Sequence, residues 1–551
     1  MKKCYLTEVD KNYSADEDLV LGLWCFKDIA DARRAKCIEA YEGEDLNALH
    51  KQLYELGIHL LIEDADLLEG VEREIFLLKN QCDYFYFVFF GFYLFRLIKK
   101  TLNMYPMQDV AFEKVSRPKK IAHHSSYFQP AYFGYLAMLI IEVILKDEHI
   151  NWFASERESG KAFKENVPNI PKQKLSTKFK NKLNYFSGIS GIYFIPGLLL
   201  SVIYMSRNFA QRRKPNYFTK QPILTLNTEI MQFIKIFRAL FSEKTIFKKD
   251  YQHSIDKIKK LYIGNSGYLV YGDNVHDRVY KNYFAGKSNF CVYQHGASYG
   301  MINYLVSHEI EFNCPSFISW GREVHSNVPR KNIINNLPSP QLYKLKDLYA
   351  FNNQKKIIWV TCSIDRCGEG LIFLAASQHM DYVEKKEKLL DFLDKELLKD
   401  LIYKPFPTKI DAGHFADEFL NKIPKNQQVL NKINLNTLIL SSKFSILDYL
   451  GTSFYEAMSM NAPVVLCLFH STTSILTDSA RELLKEFEKL GVMHTDPEKA
   501  AVFINSLNTR DVQEWWQDKA IQDLRKQFLE MYANNKPYFW PWLKAILKRE
   551  I

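Results

Sequence analysis

"DYLGTSFYEAMSMNAPVVLCL", Asp448 to Leu468, changes character twice in a short span. A strand end gives way to Gly451, Thr452 and Ser453; "TSFYEAMSM" then reads as a short helix, and "APVVLCL" as a second buried strand. Working outward, "KKIIWVTCS" reads as a strand, "VEKKEKLLDFLDKELL" as an amphipathic helix, and "DLIYKPFP" as a strand and loop. "NTLILSS" reads as a further strand and "ILTDSARELLKEFEKLG" as a helix. Strands alternating with helices predict an α/β unit with a parallel sheet wound on both faces.

The chain has 551 residues, too many for one ordinary core, so at least two domains are expected. "SNVPRKNIINNLPSPQ" is polar, bears prolines and has no apolar period. It predicts a linker over 331–352, between an N-terminal domain (1–330) with an aromatic-rich helical elaboration and a C-terminal domain (353–551) whose last helices cross back. Composition is that of a folded protein, 47% hydrophobic and 25% charged, which argues against dominant disorder. The net charge of +10 favours an anionic partner, and a nucleotide or a phospholipid head group fits as well as nucleic acid. No groove-reading motif is present, so no nucleic acid is expected.

Nine cysteines without a repeated spacing predict reduced thiols. The start, "MKKCYLTEVDKNYSADED", turns acidic before an apolar run can form, which argues against a signal peptide and for a cytoplasmic protein. Two runs, "YFYFVFFGFYLF" (Tyr84 to Phe95) and "FIPGLLLSVIYM" (Phe194 to Met205), fall short of the roughly 20 residues that cross a bilayer. They read as buried helix, with contact at the inner face of the membrane, helped by "RLIKK" and "RNFAQRRK", as the functional alternative.

The chemistry concentrates at strand ends. At the start of the 452–460 helix, backbone N–H groups favour anions, and the small residues Gly451, Thr452 and Ser453 leave room for phosphate oxygens. Asp448 closes the preceding strand, and Glu456, one turn in, can accept hydrogen bonds from ribose hydroxyls. A plain helix cap by Thr452 or Ser453 is the competing reading. Thr361 and Ser363 in "WVTCS" and Lys404 in "YKPFP" supply two more strand ends, and three together predict a nucleotide site. "NFCVYQHGASYG" (Asn289 to Gly300) runs from a buried strand into a glycine-flanked loop carrying His295. No Walker loop and no GxGxxG occurs. "HEIEF" lacks a second zincin histidine, and "DAD" (Asp64 to Asp66) reads as a solvated helix end, so no metal is expected. No other cofactor is expected either.

"LGLWC", "YQHGASYG", "FISWG", "DYLGTSFYEAMSMNAPVV" and a late "EWW", in that order, resemble a bacterial family of surface-polysaccharide transferases. That family is regarded as GT-B-like and is distantly similar to capsule and lipopolysaccharide glycosyltransferases, including those using CMP-Kdo and related ulosonic acids. The resemblance runs from about Val20 to about Phe528. It implies two Rossmann-like domains, with a nucleotide-sugar donor on the C-terminal one and a glycan or lipid-linked acceptor entering from the N-terminal one. His295 would then face the cleft as acid or base, beside one of Asp273, Glu309 and Glu311. Alternation along a strand puts Glu309 ahead of Glu311. This chain departs from the family at Ala297, where a second glycine is usual, and at Lys404 and His414, where Arg and Trp are usual. Lysine for arginine keeps the charge and gives up bidentate phosphate geometry. A nucleotide-sugar epimerase of the same architecture and a noncatalytic glycan-binding or assembly protein are the rival readings.

Overall fold

The computed structural model describes residues 1–6, 9, 13–26, 41, 45–115, 130–146, 148–154, 227–242, 268–271, 290–324, 332–352, 354–362, 376–406, 418–430, 433–469 and 475–548. The expected α/β class with parallel sheets is what the chain adopts, but the described residues form three sheets rather than two, and every strand pairing in them is parallel. The aromatic-rich half carries two of these sheets. Strands β1 (Lys2–Tyr5), β2 (Leu19–Val20), β3 (Val110–Glu113) and β4 (Trp152–Phe153) make one, in the order β2-β1-β3-β4. Strands β5 (Tyr268–Tyr271), β6 (Phe290–Tyr293), β7 (Phe317–Ile318) and β8 (Ile333–Ile334) make the second, in sequence order.

The C-terminal sheet has the order β10-β9-β11-β12-β13, with β9 Ile357–Val360, β10 Leu401–Lys404, β11 Phe444–Leu447, β12 Val464–Cys467 and β13 Met493–His494. Its central strands are apolar on both faces and wholly buried, as helix-covered parallel strands must be. One expectation fails here: "NTLILSS" is not a strand but contributes the short helix Leu435–Leu440. The Asn434 side chain accepts from the backbone N–H of Asn436 and caps it. The run is only partly buried, whereas "FSIL" just beyond is buried throughout and takes the place in the sheet. "VEKKEKLLDFLDKELL" is likewise two helices, Ala376–Phe392 and Lys395–Asp400, parted at Leu393 and Asp394.

Residues 332–352 carry regular elements. Ile333 and Ile334 form the edge strand β8, and helix Pro340–Leu345, capped by Ser339, packs on helix Thr452–Met460 through a 2.6 Å bond from Ser459 Oγ to the Leu342 carbonyl. The final helix, Phe539–Leu547, buries Trp542, Ala545 and Ile546 with Cys291, Tyr293 and Ile318 of the β5–β8 sheet.

The long apolar run Tyr84–Phe95 lies inside helix Gly70–Met104, which pairs with helix Leu46–Ala65 and buries Phe85, Phe87, Val88, Phe92 and Phe95. Among the described residues no helix is long and apolar enough to cross a membrane. The second run, Phe194 to Met205, lies outside the described residues. The "DAD" helix end is less solvated than its sequence suggests: Asp64 accepts from Tyr84 and, at 2.5 Å, from Arg238 on helix Thr228–Ser242. Asp66 pairs with Arg73 at 2.8 Å.

Candidate functional site

Register sets the first half of the site. Val360 on β9 lies beside Lys404 on β10 and Leu447 on β11, so all three strands end level, and Thr361 and Asp448 leave the sheet at the same edge. Strand β9 continues in sequence to β10 on one side and meets β11 on the other, which opens a crevice between the β9 and β11 ends. That reversal of strand order is where open α/β sheets take ligands. The crevice is cross-tied: Cys362 N–H donates to Asp448 Oδ1 at 3.1 Å, and Trp359 Nε1–H to Oδ2 at 3.0 Å.

Helix Thr452–Met460 begins at this edge. Gly451 occupies its cap position and provides no side-chain bond, so Thr452 and Ser453 stand in the first turn rather than capping it. The Ser453 hydroxyl bonds Tyr449 at 3.2 Å. Burial pushes the Glu456 carboxyl up, opposed by a hydrogen bond from Asn436. Lys404 is shifted down by partial burial and reaches the Pro405 carbonyl at 3.4 Å.

The second half is the loop after β6. Gln294 is fully buried and clamps the turn: its Nε2 donates to the Gly296 carbonyl at 2.8 Å, while its Oε1 accepts from Trp320 N–H at 2.9 Å and Ser319 Oγ at 3.2 Å. His295 follows, with a quarter of its side chain exposed. Its Nδ1 lies 2.8 Å from the Tyr299 hydroxyl and 3.3 Å from Glu311 Oε1. Tyr299 donates its single proton to Glu311 Oε2 at 2.5 Å. The tyrosine oxygen therefore meets His295 as an acceptor, and the proton on the imidazole edge that faces it sits on Nδ1. The Tyr299 ring is fixed between His308, stacked at 3.8 Å, and Phe317 at 5.5 Å. Tyr54 of helix Leu46–Ala65 contacts Tyr304.

"SHEIEF" is helix Val306–Phe312, not a strand, so the alternation that ranked Glu309 first does not apply. Glu309 is buried on that helix, and Glu311 Oε1 is in contact with the imidazole. Asp273, Ser363 and His414 lie outside the described residues. Two residues passed over in the sequence emerge: Tyr299, marked only by falling four positions after His295, and Lys386, a buried lysine on a helix that reads as amphipathic.

The two halves touch. A Cβ placed on Gly296 would lie 3.2 Å from Thr452 Oγ1. Ser298 sits at a φ of 73°, unusual for a residue with a side chain, and both its hydrogen-bond donors cross to the other half. Its N–H donates to Tyr455 OH at 3.0 Å and its Oγ to the Leu450 carbonyl at 3.0 Å. Thr477 Oγ1 donates to the Gly300 carbonyl at 3.0 Å. An imidazole backed by a buried carboxylate thus stands beside an uncapped helix start, an arrangement that suits proton transfer at a hydroxyl beside a bound phosphate.

Residues 136–547, which take in both halves, match the description of the LIC12162 family transferase. The chain belongs to that family. It is accordingly an enzyme of group transfer, and the match spans His295 as well as Gly451 to Glu456. No curated protein matches this transferase. Among solved structures it is similar to a variant of the wall teichoic acid polymerase TagF, at 12% identity over 55% of this chain and 87% of that one, with a TM-score of 0.31. An α,α-trehalose-phosphate synthase (UDP-forming) from Burkholderia vietnamiensis is similar at 9% identity over 59% and 81%, with a TM-score of 0.31. The trehalose-6-phosphate synthase OtsA is similar at 11% identity over 76% and 94%, with a TM-score of 0.30. Likenesses of that degree fix neither donor nor acceptor.

Proposed function

We propose that this transferase moves a glycosyl group from a nucleotide-activated donor to a hydroxyl of a bacterial surface glycan or lipid-linked acceptor, in a two-domain GT-B arrangement and without a metal. The observation that carries the reading is the Glu311–Tyr299–His295 cluster set against the start of helix Thr452–Met460. In this reading 353–551 takes the donor and 1–330 the acceptor. The donor phosphate lies at the Thr452 and Ser453 amides, where Gly451 leaves room for it while its own N–H is taken by the Tyr449 carbonyl; Thr361, Ser363 and the positive charge of Lys404 are the further donor ligands proposed, and Glu456 meets the ribose hydroxyls. His295 Nε2 removes the acceptor hydroxyl proton as the oxygen bonds to the anomeric carbon. The bond from that carbon to the phosphate oxygen breaks, and its electron pair leaves with the nucleotide. Glu311 stabilises the imidazolium so formed. Asp273 and Glu309 are the other carboxylates proposed to act on the acceptor side. A CMP-ulosonic acid is the donor class we favour, on the resemblance in the sequence, and the inner face of the cytoplasmic membrane is where a lipid-linked acceptor would be met.

The test is a panel of CMP, UDP, GDP and dTDP scored by thermal shift, followed by nucleotide release from the matching activated sugars with and without a glycan acceptor. Stabilisation by CMP and acceptor-dependent release support the proposal. Donor consumption that needs no acceptor favours an epimerase, and glycan binding without any nucleotide turnover rules out the catalytic reading.

A further inference from the structure

We infer that Lys386 and Asp448 form a positioning pair beneath the nucleotide pocket, which neither residue touches and whose two walls they hold in register. The inference rests on the donor site proposed above and revises one part of it, since Asp448 reads from sequence as a direct ligand. Its side chain is fully buried, and Cys362 N–H, Trp359 Nε1–H and, at 3.5 Å, Lys386 Nζ face its two oxygens, with the Tyr382 and Thr361 hydroxyls as further hydrogen-bond partners. Lys386 is 4% exposed and also donates to Thr361 Oγ1 at 2.6 Å and Tyr403 OH at 3.2 Å. Its ammonium lies 4.4 Å from the Phe419 ring centroid, with the Trp359, Tyr382 and Tyr403 rings within 5.9 Å.

These bonds join four elements. Asp448 ties the end of β11, three residues before Gly451, to the first residues after β9, and Lys386 ties those residues to β10. Charge is what makes the arrangement specific. A carboxylate can accept from Trp359, Cys362 and Lys386 together, whereas an asparagine would turn its NH₂ group toward one of the donors. An ammonium can donate to Thr361, Tyr403 and Asp448 together, whereas a methionine fills the same space and donates to none. Burial pushes the Asp448 carboxyl up and Lys386 opposes that shift, as expected of a pair that leaves water together.

The test uses the whole chain with Asp448→Asn, Lys386→Met and the double variant, and reads melting temperature, affinity for whichever of the four nucleotides the parent binds, and donor and acceptor KM. Each single variant leaves one buried charge unmatched and should melt lower, and the neutral double variant should melt closer to the parent. Donor KM and nucleotide Kd should rise roughly ten- to a hundredfold in all three, the double included, with acceptor KM unchanged. A double variant with recovered melting and parental donor KM overturns the inference, because the pair would then be structural alone. Failure of the parent to bind any of the four nucleotides is a separate result and overturns the donor-site reading itself.

Discussion

Glu311→Gln changes the candidate site by one charge and almost no volume. In the parent, Glu311 Oε1 lies 3.3 Å from His295 Nδ1 and the glutamate side chain is fully buried. At that separation, with an effective dielectric of about 20, the attraction for an imidazolium is about 5 kcal/mol. A quarter of the His295 side chain is exposed and water screens part of this, so about 2 to 3 kcal/mol, roughly a hundredfold in rate, is expected to be lost. A second effect has the same sign. The amide that replaces the carboxylate can donate to Nδ1, which moves the imidazole proton to Nε2, the atom that has to accept one. Tyr299→Phe keeps the charge and removes one bridge, so a smaller loss is expected. Single-turnover donor consumption, beside nucleotide affinity by calorimetry and circular dichroism, separates chemistry from binding and folding. Turnover by Glu311→Gln at the parental rate refutes the argument, as does a loss of nucleotide affinity that matches the loss of rate.

His295→Ala should leave nucleotide affinity nearly intact while cutting transfer roughly 100-fold or more; Glu456→Ala and Ser453→Ala should instead weaken nucleotide binding by about 1 to 3 kcal/mol, and calorimetry with turnover on the same variants reads both. Gly300 has a φ of +74°, and an added Cβ would sit 2.2 Å from the Glu323 carbonyl oxygen, so Gly300→Ala should lower the melting temperature and distort the His295 loop. His50 is buried against Phe89 with neither ring nitrogen partnered among the described residues, and burial brings its pKa from 6.5 down to about 4. The unfolded chain takes up this proton first, so the stability His50 leaves intact above about pH 6.5 is lost as pH falls toward 4, by about 2 kcal/mol between pH 7 and 5. Urea titrations at the two pH values should show that fall, and His50→Leu should reduce it. Turnover should survive EDTA, with helix amides and Lys404 meeting the phosphate charge; activity lost to EDTA and restored by Mg²⁺ or Mn²⁺ would reverse this.

The C-terminal half was the most legible part of the sequence, because a buried parallel strand and an amphipathic helix each write their environment into adjacent residues. "IIWV", "VVLC" and the 478–489 helix stand where that pattern puts them, and the glycine before Thr452 marks a helix start by local chemistry alone. Short apolar runs carry less information: "TLIL" suits a strand or a helix, and burial on both faces gave the sheet position to "FSIL" instead. The alternation that put Glu309 ahead of Glu311 loses its basis for the same reason, since a period of two was applied to residues that form a helix.

What only the tertiary structure decided is which distant residues meet. Gly296 against Thr452, Ser298 against Leu450 and Tyr455, and Lys386 against Asp448 are separated in the chain by stretches whose local patterns say nothing about each other. Periodicity reports the face a residue turns inward, because that depends on its immediate neighbours along one element. The partner waiting on that face depends on the order and direction in which whole elements pack, which are settled by the summed burial of the sheets and their helices.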